Sequence, residues 1–157
     1  MRINELISDI RNRDLVLPEF QREYVWGREQ AKQLMVSLMQ KYPVGGILLW
    51  KTQTPPELKN VHADESRLGT YQLILDGQQR LTSLYMLITG EIPPYYNDED
   101  ITVDIRSLYF NLDDGDFQYY QPVRMRDEPT WINVTDCFND MGTVAFDIAA
   151  SVFSETT

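Results

Sequence analysis

Hydrophobic positions along this chain recur with two periods, and the first one met is helical. Ile3, Leu6, Ile7 and Ile10 stand at i, i+3, i+4 and i+7 with polar and charged residues between them. That spacing predicts an amphipathic helix over residues 3–13. Leu15-Val16-Leu17 reads as a short strand that Pro18 ends, because proline has no N–H to give a ladder. Ala31, Leu34, Met35, Leu38 and Tyr42 repeat the helical spacing and predict a helix over residues 28–41, stopped by Pro43 and Gly45-Gly46. Its methionine and aromatic positions are read as core. Ile47-Leu48-Leu49-Trp50 predicts a buried strand, and residues 52–70 a surface loop. The apolar run Tyr71–Leu75 predicts a second buried strand, and Leu81, Leu84, Tyr85 and Ile88 a helix straight after it.

Beyond Gly90 and Pro93-Pro94 the alternation is strand-like. Ile101–Ile105 predicts a strand. Leu108–Leu112 and Phe117–Tyr120 flank Asp113-Asp114-Gly115-Asp116 and predict a hairpin. Trp131–Val134 predicts a further short strand, with Thr135 capping a helix at Asp136-Cys137-Phe138. Val144–Phe153 is apolar enough for an ordered helical segment, and the chain stops soon after it, as the N-terminal part of a longer protein would. The expectation from length is one domain over residues 1–157.

Composition sharpens this picture in two ways. With 43% hydrophobic residues, the 157-residue chain can bury a core, and no apolar run approaches a membrane span. The N-terminus has no signal-peptide pattern, and the single Cys137 excludes an internal disulfide and a cysteine zinc cluster. These features favour the cytoplasm. Charge is also uneven: residues 1–80 hold 11 Lys and Arg against 10 Asp and Glu, whereas residues 81–157 hold 3 against 14. Duplex DNA is bound mainly through its phosphates, which the second half would repel. Contact with DNA would therefore run through a local patch or another domain. His62 has no Cys or second His nearby and reads as a solvated side chain. Asn97-Asp98-Glu99-Asp100 is a charged loop whose spacing fits no EF-hand.

Candidate chemistry gathers where the Tyr71–Leu75 strand meets its helix, at Asp76-Gly77-Gln78-Gln79-Arg80. The first N–H groups of a helix lack partners and its dipole favours negative charge there. A glycine lets the chain turn and lets a ligand approach the backbone. An arginine one turn in can fork onto phosphate oxygens. The cluster reads as an anion site, with an ordinary capped turn and a surface arginine as the alternative. Pro18-Glu19-Phe20-Gln21-Arg22-Glu23-Tyr24-Val25-Trp26 is irregular and rich in rings. Either Phe20, Tyr24 and Trp26 plug the core while Arg22 faces water, or Gln21 and Arg22 face the same pocket as Arg80, where a ring can stack on a nucleobase.

The run Leu17–Trp26 resembles a P-x-x-Q-R-x-Y-x-W box, and Asp76–Thr82 resembles a D-G-Q-Q-R-L-T box. Pro43–Trp50 falls at the matching place between them. Together, over residues 3–90, they resemble the N-terminal domain of GmrSD-type, modification-dependent restriction enzymes, in the ParB/sulfiredoxin-like superfamily. That resemblance implies a compact α+β domain, ParB/sulfiredoxin-like, with a mixed sheet and flanking helices, to which the pattern read above adds a β-hairpin in the second half. It implies nucleoside triphosphate binding and Mg2+-dependent hydrolysis. The domain would regulate a His-Asn-His-type nuclease domain, in cis or trans, that cuts foreign or modified DNA in anti-phage defence. The mechanism built on this resemblance makes Asp76, Gln78, Gln79 and Arg80 catalytic: Asp76 holds the metal or orients the attacking water, Gln78 or Gln79 positions that water, and Gln21, Arg22, Gly77 and Arg80 bind nucleotide. Sulfiredoxins carry a cysteine where this chain has Gln78, and free-serine kinases of this fold carry histidines at Gln78 and Gln79. Neither chemistry is available here. His62 is the sole histidine, so no nuclease activity is expected from this chain alone. The alternative is a non-catalytic module that senses nucleotide or DNA for a partner nuclease.

Overall fold

A computed structural model describes residues 2–60 and 69–139. His62 and the Val144–Phe153 segment lie outside the described residues. The described chain falls into two compact units, the first drawn from residues up to Val25, Gly45–Tyr85 and Ile92–Thr102, the second from Trp26–Val44, Met86–Glu91 and residues from Val103 on.

In the first unit, helix α1 (Ile3–Arg11) buries Ile7 and Ile10. Its start is secured by Glu5, whose carboxylate accepts the Arg2 backbone N–H at 3.0 Å. The chain turns through Arg13 in the left-handed region (φ 60°) into strand β1 (Leu15–Val16). Strand β3 (Tyr71–Asp76) lies at the centre of a mixed sheet of order β1-β3-β2, parallel to β1 and antiparallel to β2 (Leu48–Thr52). Two flanking strands explain its apolar sequence: Leu73 and Ile74 are fully buried, and Val16, Tyr71 and Leu73 form a cluster against Leu58 and Leu75. The strand over Ile47–Trp50 exists but is not buried. Among the described residues β2 pairs on one side alone, and Leu48 and Trp50 are 57% and 49% exposed.

Helix α3 (Gln78–Thr89) follows β3 after the single residue Gly77. Every residue from Leu81 to Ile88 is buried, polar Thr82 and Ser83 included. The one-faced pattern therefore understated its burial. Thr82 shares a 2.8 Å hydrogen bond with the Tyr95 hydroxyl, which satisfies both groups.

In the second unit, helix α2 (Arg28–Met39) buries Ala31, Leu34, Met35 and Met39. It ends earlier than the pattern suggested, and Tyr42 is 61% exposed beyond it. The hairpin forms as expected: β4 (Leu108–Asn111) pairs antiparallel with β5 (Phe117–Tyr119). After the short helix α4 (Pro122–Met125), β6 (Trp131–Asn133) adds to the other side of β4, giving the order β5-β4-β6. Arg28 of α2 lies over the Tyr119 ring, 4.9 Å from its centroid, and donates to the Asp104 carbonyl at 3.0 Å.

Two local expectations fail for identifiable reasons. No strand forms over Ile101–Ile105. Asp104 instead accepts the Arg106 backbone N–H at 2.9 Å and holds its guanidinium, a local turn that competes with a ladder. That pairing holds the Asp104 carboxyl below the usual range. The last helical turn starts at Val134 and is capped by Asn133, whose side-chain oxygen accepts the Asp136 N–H at 3.1 Å. Thr135 donates instead to the Leu87 carbonyl at 2.6 Å. Among the described residues no helix is long and apolar enough to cross a membrane.

Candidate functional site

All seven residues singled out in the sequence lie in the first unit. The junction between β3 and α3 is set by Gly77. Its φ is +89°, and its carbonyl accepts the Leu81 N–H at 2.9 Å, so it stands at the N-cap position. It has no side chain with which to cap the first-turn N–H groups. A Cβ at Gly77 would lie 3.1 Å from the Gly46 carbonyl oxygen and 3.2 Å from Arg80 Nη2.

Arg80 reaches back across this mouth. Its Nη2 donates to the Gly46 carbonyl. A Cβ on Gly45, also at φ +89°, would lie 3.2 Å from the Arg80 Cζ. The guanidinium is therefore seated among Gly45, Gly46 and Gly77. The Gly45-Gly46 pair was read as a helix stop, yet α2 ends at Met39, several residues earlier. Gly45 leaves room for the guanidinium and Gly46 supplies its carbonyl acceptor, which periodicity cannot reveal. The available signal was the glycine pair itself, standing just before a strand.

Asp76 closes β3 and is exposed, and Arg22 is exposed as well. Among the described residues neither side chain has a hydrogen-bond or ion-pair partner. Gln21 donates to the carbonyls of Leu75 at 3.0 Å and Ile74 at 3.3 Å, which ties the first box to the end of β3. Gln78 is buried, and its Nε2 donates to the Arg22 carbonyl at 2.9 Å. Its Oε1 is also buried and accepts no hydrogen bond from the described residues. Gln79 donates to the Glu23 carbonyl at 3.0 Å and accepts the Val25 N–H at 3.0 Å.

The rings of the first box divide. Tyr24 is buried and hydrogen-bonded to Ser83 at 2.8 Å, whereas Phe20 is 70% exposed and Trp26 half-buried. Thus Tyr24 plugs the core and Phe20 does not. Tyr24 and Tyr95 both pack edge-on against Tyr96. Burial pushes the Tyr24 hydroxyl up to about 12 and raises those of Tyr95 and Tyr96 further. Nearby, Lys59 and Glu23 form a 2.8 Å ion pair. A hydrogen bond from Glu57, more than its charge, raises the Glu19 carboxyl. Among the described residues no group of three or more His, Cys, Asp or Glu side chains can hold a metal.

A mixed sheet whose central strand turns through Asp-Gly into a helix headed by Gln-Gln-Arg defines the class: an α+β domain with a polar strand-to-helix junction. The chain belongs to the family of GmrSD restriction endonuclease N-terminal domains, whose model matches residues 3–140. It is also 33% identical over 106 residues to an uncharacterized protein of Methanocaldococcus jannaschii, a match covering 59% of this chain and 18% of that protein. The matched region is thus a minor part of that relative's length.

Proposed function

We propose that the β3–α3 junction binds a nucleoside triphosphate and, with Mg2+, hydrolyses it, so regulating a nuclease domain that acts on foreign or modified DNA. The observation that carries this reading is the seating of Arg80 among three glycines at a helix start whose N-cap residue is glycine, beside the exposed Asp76. Helix dipole, backbone N–H groups and guanidinium all favour phosphate oxygens there. Arg22 is a second cation on the neighbouring segment and has no competing partner among the described residues. Phe20, exposed next to Gln21, offers a ring for a base.

The residues present fit a magnesium ion in one respect. The Asp76 carboxylate and the unpaired Gln78 Oε1 are both hard oxygen donors. A single carboxylate is enough only where substrate phosphates supply further ligands, so the metal belongs with the nucleotide. Bound there, it would neutralise phosphate charge. Asp76 would hold it, and the backbone at Gly77 would contact phosphate. Phosphoryl transfer depends mainly on positioning and charge stabilisation, so a site without a strong base is chemically sufficient.

The test is calorimetric titration of the chain with each of the four ribonucleoside triphosphates plus Mg2+, repeated on Arg80→Ala. Saturable binding that the substitution weakens at least roughly tenfold, the scale of a lost charged hydrogen bond, supports the site. No binding of any of the four overturns it. One observation favours a sensing module without turnover: both ends of the Gln79 carboxamide are engaged by backbone, which gives it a structural task in place of a free amide for orienting water. Asp76→Ala separates the readings. In a hydrolase it abolishes phosphate release and spares part of the affinity; in a sensor there is no release to abolish.

A further inference from the structure

We infer that Gln78 and Gln79 are positioning residues: they clasp the Arg22–Val25 segment to the first turn of α3 and so present Arg22 to the phosphate site. This rests on the nucleotide reading above and changes the task of two residues within it. The segment has no regular secondary structure, so nothing in its own backbone fixes where Arg22 points. Side chains supply the missing ladder. Gln78 Nε2 donates to the Arg22 carbonyl at 2.9 Å, Gln79 Nε2 to the Glu23 carbonyl at 3.0 Å, and the Val25 N–H to Gln79 Oε1 at 3.0 Å.

The pattern is cumulative. The Arg22 carbonyl also accepts the Tyr96 hydroxyl at 3.2 Å. Ser83 donates to the Gln79 carbonyl at 2.7 Å, which leaves Tyr24 as the donor in its 2.8 Å bond to Ser83. Consecutive residues of the segment therefore bond to positions 78, 79 and 83, along one side of the helix start. A carboxamide is the required group at position 79, because it must donate to one backbone group and accept from another. A carboxylate could serve only the second. The backbone acceptors also fix both amide orientations: turning either one over would set oxygen against a carbonyl oxygen.

The experiment has two arms. Amide hydrogen exchange on the wild-type chain reads the clasp without any nucleotide. The Val25 N–H exchanges slowly although its segment is irregular, and Gln79→Ala makes it fast. A fast Val25 amide in the wild type, or one unchanged by the substitution, overturns the proposal, and the wild-type result stands even if the variant fails to fold. The second arm is a double-mutant cycle on nucleotide affinity with Arg22→Ala and Gln79→Ala. If Gln79 acts through Arg22, each single change weakens binding roughly tenfold or more, and the pair is no weaker than Arg22→Ala alone. Losses that multiply overturn the proposal. A wild-type chain that binds no nucleotide overturns the nucleotide reading and the presentation of Arg22 with it, while the exchange pattern still shows whether the clasp exists.

Discussion

At Gly77 the backbone lies in the left-handed region, and an added Cβ would come 3.1 Å from a backbone oxygen, which cannot yield as a flexible side chain can. Gly77→Ala is therefore expected to cost about 1–3 kcal/mol of stability, the scale of a strained non-glycine residue. Denaturant unfolding of the variant measures it; a stability equal to the wild type would show that the junction adapts freely. At this scale the sequence was partly legible. Asp76, Gly77 and Arg80 stood out from local chemistry alone. The partner of Arg80 did not, because the Gly46 carbonyl lies on a distant segment and a carbonyl is present at every residue. The two glutamines were read as groups for water, whereas their amides are bonded to backbone of the first box.

Strands β2 and β3 show what periodicity conveys about an element and what it omits. Both are short apolar runs, and both were expected to be buried. β3 has a neighbour on each side, and Leu73 is fully buried, whereas β2 exposes Leu48 and Trp50. Leu73→Ala should cost about 2–5 kcal/mol through lost burial and the cavity left behind. Trp50→Ala should cost clearly less, although it removes a larger side chain. Chemical denaturation of both variants checks the order, and a larger loss at Trp50 would contradict the edge position of β2. An apolar run reports that a strand forms; whether it is central or at an edge depends on which other strands arrive beside it.

For the molecule as a whole, charge and titration are the relevant properties. The formal net charge of −10 sits almost wholly after Arg80, and the site lies in the balanced half. This favours an anion held by local geometry over general attraction to nucleic acid. Alkaline stability follows from Tyr24, Tyr95 and Tyr96. Burial favours their neutral forms in the folded chain, while an unfolded tyrosine ionises near pH 10. Their contribution is thus full below about pH 10 and is lost as pH rises, for Tyr24 through about 12. Tyrosinate absorbance followed with circular dichroism should show these rings ionising together with unfolding. Ionisation of all nine tyrosines near pH 10 with the fold intact would refute it.

The sequence by itself determined the α+β class, the helices over α1, α2 and α3, the hairpin, and the family, because these follow from short-range periodicity, turn residues and two local boxes. Only the tertiary structure decided that β2 lies at an edge among the described residues, that Gly45 makes room for Arg80 while the Gly46 carbonyl accepts its hydrogen bond, and that Gln78 and Gln79 bind the segment carrying Arg22. The physical reason is the same in each case. Burial and backbone hydrogen bonds between distant segments depend on which groups meet in space, and a backbone carbonyl or N–H carries no mark in the sequence of the side chain that will find it.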